Sequence, residues 1–288
     1  MMRVLCLHGA GSNNNFFQNQ TATLRAHLPD FSFEFVQGTL PHQGGSWSSH
    51  YGNRNDDVEQ ELFTYFTLFD PEFMLETERE LIDLVTSASP PFDGVLAYSI
   101  GCSLAFQASM RYEAEREPNS RGSLFKFAIF CNAVAPSKAI DIVDSCCFGT
   151  AAEVESRIKD EALTLTELAL GMRLIAAPSA VEEVNRLRQW AKLQMKDWQG
   201  VHTDRGFDVV KIGVMGVMPF DQKNERLHIP TLHVRDPMEH RLFGERMQIL
   251  CDPKEAREFF HDHGHEFPRG YNISKTLADL VRETAARA

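Results

Sequence analysis

The stretch that decides the fold is Phe92-Asp93-Gly94-Val95-Leu96-Ala97-Tyr98-Ser99-Ile100-Gly101-Cys102-Ser103-Leu104-Ala105. Val95 and Leu96 are apolar and strand-like, and Ile100 to Met110 carries small and apolar residues at helical spacing. Ser99 stands at the junction, with Gly101 two positions further on. Strand, sharp turn and helix in that order are the setting of a nucleophile elbow, which lifts a Ser hydroxyl above the end of a sheet. Gly101 suits such a turn because a side chain there would meet the incoming strand. Ala97, the next smallest residue, occupies the place of the first Gly in the G-x-S-x-G pattern. The pattern alone recurs by chance. A buried strand followed by a helix that Ser99 merely caps accounts for the same residues, so the rest of the chain must separate the two readings.

A chain of 288 residues is long enough to bury one large α/β core without disulfides or metals. Its net charge of −11 argues against nucleic acid and anionic membrane surfaces as partners. The six cysteines form no C-x-x-C pair, and three lie in strand-like or elbow surroundings. That is the usage of a reducing compartment, where Cys serves as a small hydrophobe. The apolar run after Met1 is too short for a secretory signal, and no stretch has the length of a membrane span. A soluble cytoplasmic protein is expected.

Working outward from the elbow, Arg3 to Leu7 is an apolar run ended by His8-Gly9-Ala10-Gly11, which reads as a buried parallel strand and a tight turn. A dinucleotide fingerprint would require Gly at position 14, where Asn14 stands, and no acidic residue follows the second strand, Phe31 to Val36. The other use of such a turn is to aim backbone N–H groups at a developing oxyanion. His8 is expected to shape this turn rather than to act as a base. Gly38 to Asn55 is a long polar loop in which Trp47 and Tyr51 are candidates for a substrate entrance. Helices are expected over Asn14 to Leu28 and Met74 to Val85, and a strand over Phe127 to Cys131.

The character changes after Ser137. Two amphipathic helices are expected, about Glu153 to Ala176 and Ser179 to Asp197, before a strand near Val209 to Val217. Met172 and Trp198 are candidates for an apolar acyl pocket there, although such residues also serve as plain helix packing. The expected organisation is a single domain over residues 1–288 with a helical cap inserted at about 137–226. Strand character returns at Ile229 to Val234, and a short strand ends near His261 before a closing helix over Ile273 to Arg287.

Chain order then carries the argument. Ser99 follows a mid-chain strand, Asp236 a later strand, and His265 the last one. The order Ser…Asp…His, each at the C-terminal end of a strand, is that of α/β-hydrolases. Ser needs a base to become a nucleophile, His titrates in the range to take and return a proton, and a carboxylate holds the imidazole. His261 and His263 compete with His265 for the base. Asp204, Asp208 and Asp221 compete with Asp236, which before Pro237 also fits a plain turn. The alternating histidines invite a metal reading, but no second ligand cluster of the H-E-x-x-H kind exists. Neither metal nor cofactor is expected.

The chain resembles the FSH family of serine hydrolases. The resemblance rests on Leu5-Cys6-Leu7-His8-Gly9-Ala10-Gly11, Asp93 to Gly101, Ile229-Pro230-Thr231-Leu232-His233-Val234 with Asp236-Pro237, and His263-Gly264-His265-Glu266-Phe267-Pro268. It implies an α/β-hydrolase fold, with a mostly parallel central sheet flanked by helices. It also implies Ser99 as nucleophile, Asp236 as acid, His265 as base, and the backbone N–H groups of Ala10 and Ile100 as oxyanion donors. Fungal members act as esterases or as thioesterases that release an acyl chain from a polyketide synthase. The resemblance therefore implies an acyl ester or thioester substrate and an acyl carrier protein as partner. Docking on such an acidic partner calls for a basic patch, with Arg235, Arg241 and Arg246 as candidates. A cyclase or lyase on the same scaffold and a non-catalytic binding member are the alternatives, since fold alone does not fix chemistry.

Overall fold

In chain order, the computed structural model places β1 (Met2–Leu7), α1 (Asn14–Ala26), β2 (Phe31–Val36), β3 (Leu40–Pro41), β4 (Phe63–Thr64), α2 (Pro71–Ser87), β5 (Gly94–Tyr98) and α3 (Ile100–Glu115). These are followed by β6 (Phe127–Cys131), β7 (Ser137–Asp141), β8 (Met215–Pro219), β9 (Thr231–Arg235), α4 (Arg241–Ile249), β10 (Ala256–Phe260) and α5 (Tyr271–Ala285). The structure describes residues 1–42, 61–66, 70–116, 122–141, 215–220, 224–238 and 241–288.

The chain divides into two compact units. The first comprises Met1–Phe66, Glu76–Pro136 and Phe220–Ala288. It holds a six-stranded sheet in the order β10-β9-β6-β5-β1-β2, with every neighbouring pair parallel. Parallel strands covered on both faces need no polar alternation. Accordingly β5 (Gly-Val-Leu-Ala-Tyr), β6 (Phe-Ala-Ile-Phe-Cys) and β9 (Thr-Leu-His-Val-Arg) are buried along their whole length. The mostly parallel sheet flanked by helices is the architecture expected of an α/β-hydrolase.

One face of the sheet is closed by α1 and α5. Asn13 caps α1 by accepting the Phe16 N–H at 2.9 Å, which satisfies a donor that the helix start leaves free. Phe17, fully buried, meets Phe35, Tyr98 and Phe267 at ring separations of 5.8, 6.0 and 6.1 Å. Its replacement by Ala would cost about 3–5 kcal/mol. This one side chain therefore ties α1 to the elbow strand and to the loop after β10.

The strand order locates the site. The chain runs from β1 outward to β2, then returns past β1 to β5. Ligands in open parallel sheets bind where the order reverses, beyond the carboxyl ends of the strands. Here that point lies above β1 and β5, where His8-Gly9 and Ser99 emerge.

The second unit comprises Thr67–Leu75 and Ser137–Pro219. Its described residues include an antiparallel ribbon, with Ser137 opposite Pro219 and Asp141 opposite Met215. The sequence does not announce β7: Ser137-Lys138-Ala139-Ile140-Asp141 lacks a β-branched alternation, and pairing with β8 makes it a strand. The two helices expected over Glu153 to Asp197 lie outside the described residues, as do Trp47, Tyr51, Met172 and Trp198.

Candidate active site

Ser99 sits at φ 53°, ψ −119°, between the last residue of β5 and the first of α3. Few non-glycine residues adopt such a backbone, and holding one costs about 1–3 kcal/mol. The side chain makes no helix-capping hydrogen bond, which removes the reading of Ser99 as an ordinary cap. The turn is held from several sides. Ser99 N–H donates to Cys131 O at 2.9 Å, and Ser99 O accepts from Cys102 N–H at 3.0 Å.

Glycine at 101 is required by a contact different from the one the sequence implied. A Cβ there would stand 2.7 Å from the carbonyl oxygens of both Leu7 and His8. The collision is thus with β1, the neighbouring strand, rather than with the strand that feeds the elbow. Ala97 is fully buried and accommodated. At Gly9 a Cβ would lie 2.9 Å from Tyr98 Cδ1 and 3.1 Å from Ser99 Cβ, so the turn after β1 passes directly against the elbow. Ala10 follows in that turn and is exposed. Ile100 opens α3, where the first N–H groups have no partner within the helix and the helix dipole favours negative charge. Both expected oxyanion donors therefore belong to segments that adjoin Ser99.

His265 is the histidine brought to Ser99, with Nε2 at 3.0 Å from Ser99 Oγ. His261 is occupied differently: its Nδ1 accepts the His263 N–H at 3.2 Å. Asp236 is buried beyond the end of β9 and takes two backbone N–H groups. Oδ1 accepts from Met238 and Oδ2 from Gly264, each at 2.8 Å. Acceptor-only chemistry of this kind suits an ionised carboxylate. The second contact grips the residue just before His265, so the Asp236 loop holds the His265 loop by its backbone.

Two neighbours of His265 are not legible in the sequence. The Tyr98 hydroxyl donates to His265 O, and its ring lies 5.6 Å from the imidazole. Asn132, at φ 46°, donates from Nδ2 to Glu266 O at 2.9 Å. No pattern in the sequence pointed to either. A Tyr in an apolar strand reads as core, and an Asn at a strand end reads as a turn.

His8 is a structural imidazole. Its Nε2 accepts Gly38 N–H at 3.0 Å, which places the proton on Nδ1, 2.7 Å from Gly9 O. Burial pushes its pKa from 6.5 down to about 4, against a smaller upward pull from the Gly9 carbonyl. It stays neutral and shapes the turn. Cys102, three residues after Ser99, is fully buried, and burial drives its thiol well above the ordinary range, so a competing thiolate is disfavoured. Arg235 is a correction to the basic patch: it is buried, donates from Nε and Nη2 to Glu258 Oε1 at 2.9 and 2.7 Å, and stacks on Phe260. Its charge is spent between β9 and β10 and is not offered to a partner. No cluster of His, Cys, Asp or Glu able to hold a metal occurs among the described residues.

A family model described as serine hydrolase (FSH1) matches residues 1–277. The chain belongs to the serine hydrolase (FSH1) family. Fungal proteins similar to this FSH1 member include "Hydrolase FUB4" of Fusarium oxysporum f. sp. lycopersici, 27% identical over 296 residues and covering 98% of each chain. "Esterase alnB" of Emericella nidulans is 24% identical over 283 residues, covering 93% of this chain and 91% of that one. Among solved structures, a carboxylesterase from Mesorhizobium loti matches 98% of this chain and 88% of its own at a TM-score of 0.48 and 11% identity. Membership makes the chain a hydrolytic enzyme of the serine hydrolase class. Among the described residues, no helix is long and apolar enough to cross a membrane.

Proposed function

We propose that the enzyme cleaves an ester or thioester of an acyl or polyketide chain through an acyl-enzyme on Ser99. The observation that carries this reading is the 3.0 Å approach of His265 Nε2 to Ser99 Oγ on a strained elbow. Ser99 Oγ attacks the carbonyl carbon as His265 Nε2 takes its proton. The oxyanion is held by Ala10 and Ile100 N–H. His265 then gives the proton to the leaving thiol or alcohol, and the ester on Ser99 remains. Water attacks that ester while His265 takes its proton, and collapse returns the proton to Ser99 Oγ. Asp236 keeps the imidazole oriented and stabilises its cation. No step calls for a metal or cofactor, so activity is expected to survive a chelator.

The insertion between Pro136 and Phe220 is proposed as a cap that selects the acyl chain. Supporting this, the segment falls with Thr67–Leu75 in the second compact unit, and its ends pair as the β7/β8 ribbon. An acyl carrier protein of a polyketide synthase is the proposed donor of the acyl group, and the cytoplasm the proposed compartment, where the unpaired buried cysteines would stay reduced.

The test is intact mass after incubation with a fluorophosphonate. One adduct is expected on the wild type, none on Ser99→Ala and little on His265→Ala. Turnover of simple acyl esters and thioesters should fall about 10⁴-fold or more in Ser99→Ala. An unlabelled wild type, or a Ser99→Ala variant retaining a tenth of the activity, would overturn the acyl-enzyme. Product mass separates hydrolysis, which adds water, from cyclisation, which does not.

A further inference from the structure

Three loops from three strands must hold register for Ser99, Asp236 and His265 to work together. One two-residue segment at the end of β6 bonds to the elbow, to the His265 loop and to the strand that feeds the Asp236 loop. Cys131 O accepts the Ser99 N–H at 2.9 Å, which pins the elbow. Asn132 N–H donates to Val234 O at 2.7 Å, two residues before Asp236. Asn132 Nδ2 donates to Glu266 O at 2.9 Å, one residue after His265. β6 lies between β5 and β9 in the sheet, which is why its end can reach both sides.

The residue type fits the task. At φ 46° a β-branched or bulky side chain would be strained, whereas Asn tolerates the left-handed region. Its amide supplies the N–H donor that a carbonyl requires and that Asp could not supply. Asn132 is buried, so the bond to Glu266 O is shielded from competing water. The base loop is thereby gripped on either side of His265, by Asp236 at Gly264 and by Asn132 at Glu266.

We propose that Asn132 is a positioning residue that fixes His265 at its working distance from Ser99, an inference that rests on the acyl-enzyme reading above. Its bonds to Val234 O and Glu266 O go to main-chain carbonyls, so it acts through the backbone of the base loop. A displacement of about 1 Å at a reacting group costs about a hundredfold in rate. Loss of one of the grips on the loop should therefore act on turnover and leave substrate binding intact.

The experiment compares Asn132→Gly and Asn132→Asp with the wild type. Both tolerate the backbone at this position, and Asp also keeps the volume, so one serves if the other fails to fold. Each should lower kcat for ester hydrolysis by about tenfold to a hundredfold with KM changed less than about twofold, and slow fluorophosphonate labelling of Ser99 in parallel. The decisive arm repeats Asn132→Gly in a His265→Ala background. A residue acting through His265 has nothing left to position there, so the residual rate should change less than about twofold. Wild-type kcat in both variants, a change confined to KM, or an equal fall in the His265→Ala background overturns the proposal. If the wild type carries a Ser99 adduct and the Asn132 variants label at its rate, only the positioning role is lost. If the wild type carries no Ser99 adduct, the acyl-enzyme reading fails, and this role with it.

Discussion

Acidification should destabilise the fold through two buried imidazoles, and the size of the loss follows from where they sit. His8 is closed in by Gly9 O, Gly38 N, Gln37 Nε2 and the Tyr65 ring. His233 lies in β9 between Thr231 Oγ1 at 3.1 Å and the Phe130 ring at 5.6 Å. Burial lowers the two pKa values from 6.5 to about 4 and about 3, the nearby Arg235 charge helping at His233. Both folded values lie below the unfolded one. As pH falls through 6.5, the unfolded chain therefore takes up protons that the folded chain refuses, and stability drops. The contribution is fully present above 6.5 and is lost progressively until the folded imidazoles themselves titrate. At pH 5.5 an unfolded imidazole one unit below its pKa gains about 1.4 kcal/mol, so the two together remove about 3 kcal/mol relative to pH 8. That sum hardly depends on whether the folded values are 4 or 3, since both lie well below the window. Urea unfolding between pH 5.5 and 8 reads it directly. His8→Gln and His233→Gln, whatever their absolute stability, should each reduce the loss between pH 8 and 5.5 by about 1.4 kcal/mol. A pH dependence left unchanged by both substitutions would refute the assignment of these two groups as buried and neutral.

The strain at Ser99 predicts an inverted order of stability: Ser99→Gly should be more stable than Ser99→Ala by about 1 kcal/mol, or about 2 °C in melting temperature, since Gly escapes a cost of about 1–3 kcal/mol and gives back under 1 in chain entropy. Thermal melts giving Ala equal or higher stability would mean that the turn is relaxed. Gly101→Ala pushes a Cβ to 2.7 Å from the carbonyl oxygens of Leu7, the last residue of β1, and His8, the residue after it, both buried backbone. It should cost about 1–3 kcal/mol and slow fluorophosphonate labelling at least about tenfold, and wild-type labelling would sever the link between that contact and the elbow. Buried Glu78 is held by Arg111 and Gln107 between α2 and α3, and burial raises its pKa despite them. Arg111→Met should cost about 3 kcal/mol in urea unfolding by stranding the carboxylate, and Glu78→Gln added to it should recover most of that; equal losses would show that packing, not charge, was removed.

The legible parts of this molecule are those where chemistry and local geometry coincide. The place of Ser99 at a strained strand-to-helix turn is readable because such a turn forces a small residue at a fixed offset, and Gly101 meets that demand. Asp236 and His265 were readable because parallel strands deliver loops to one edge in a fixed chain order. Spacing alone does not separate His265 from His261 or His263, since all three share one loop; the family resemblance singles out His265, and it is His265 whose Nε2 reaches Ser99 Oγ. Asn132 and Tyr98 were invisible for a different reason. Their work is done through backbone carbonyls more than 130 positions away in the chain, and a main-chain acceptor leaves no trace in residue type. β7 went unread because its strand character comes from its partner β8 and not from its own composition.

The β7/β8 ribbon has a consequence for how this enzyme can diverge. Its ends tie Asp141 to Met215, so the seventy or so residues between them form a closed loop. Closing a loop costs free energy that grows only with the logarithm of its length, about 0.6 kcal/mol for each doubling. The segment can thus lengthen, shorten or be exchanged while Pro136 and Phe220 keep their places in the chain. If the insertion selects the acyl chain as proposed, a lineage of such enzymes can change what it accepts without retuning the atoms that cut.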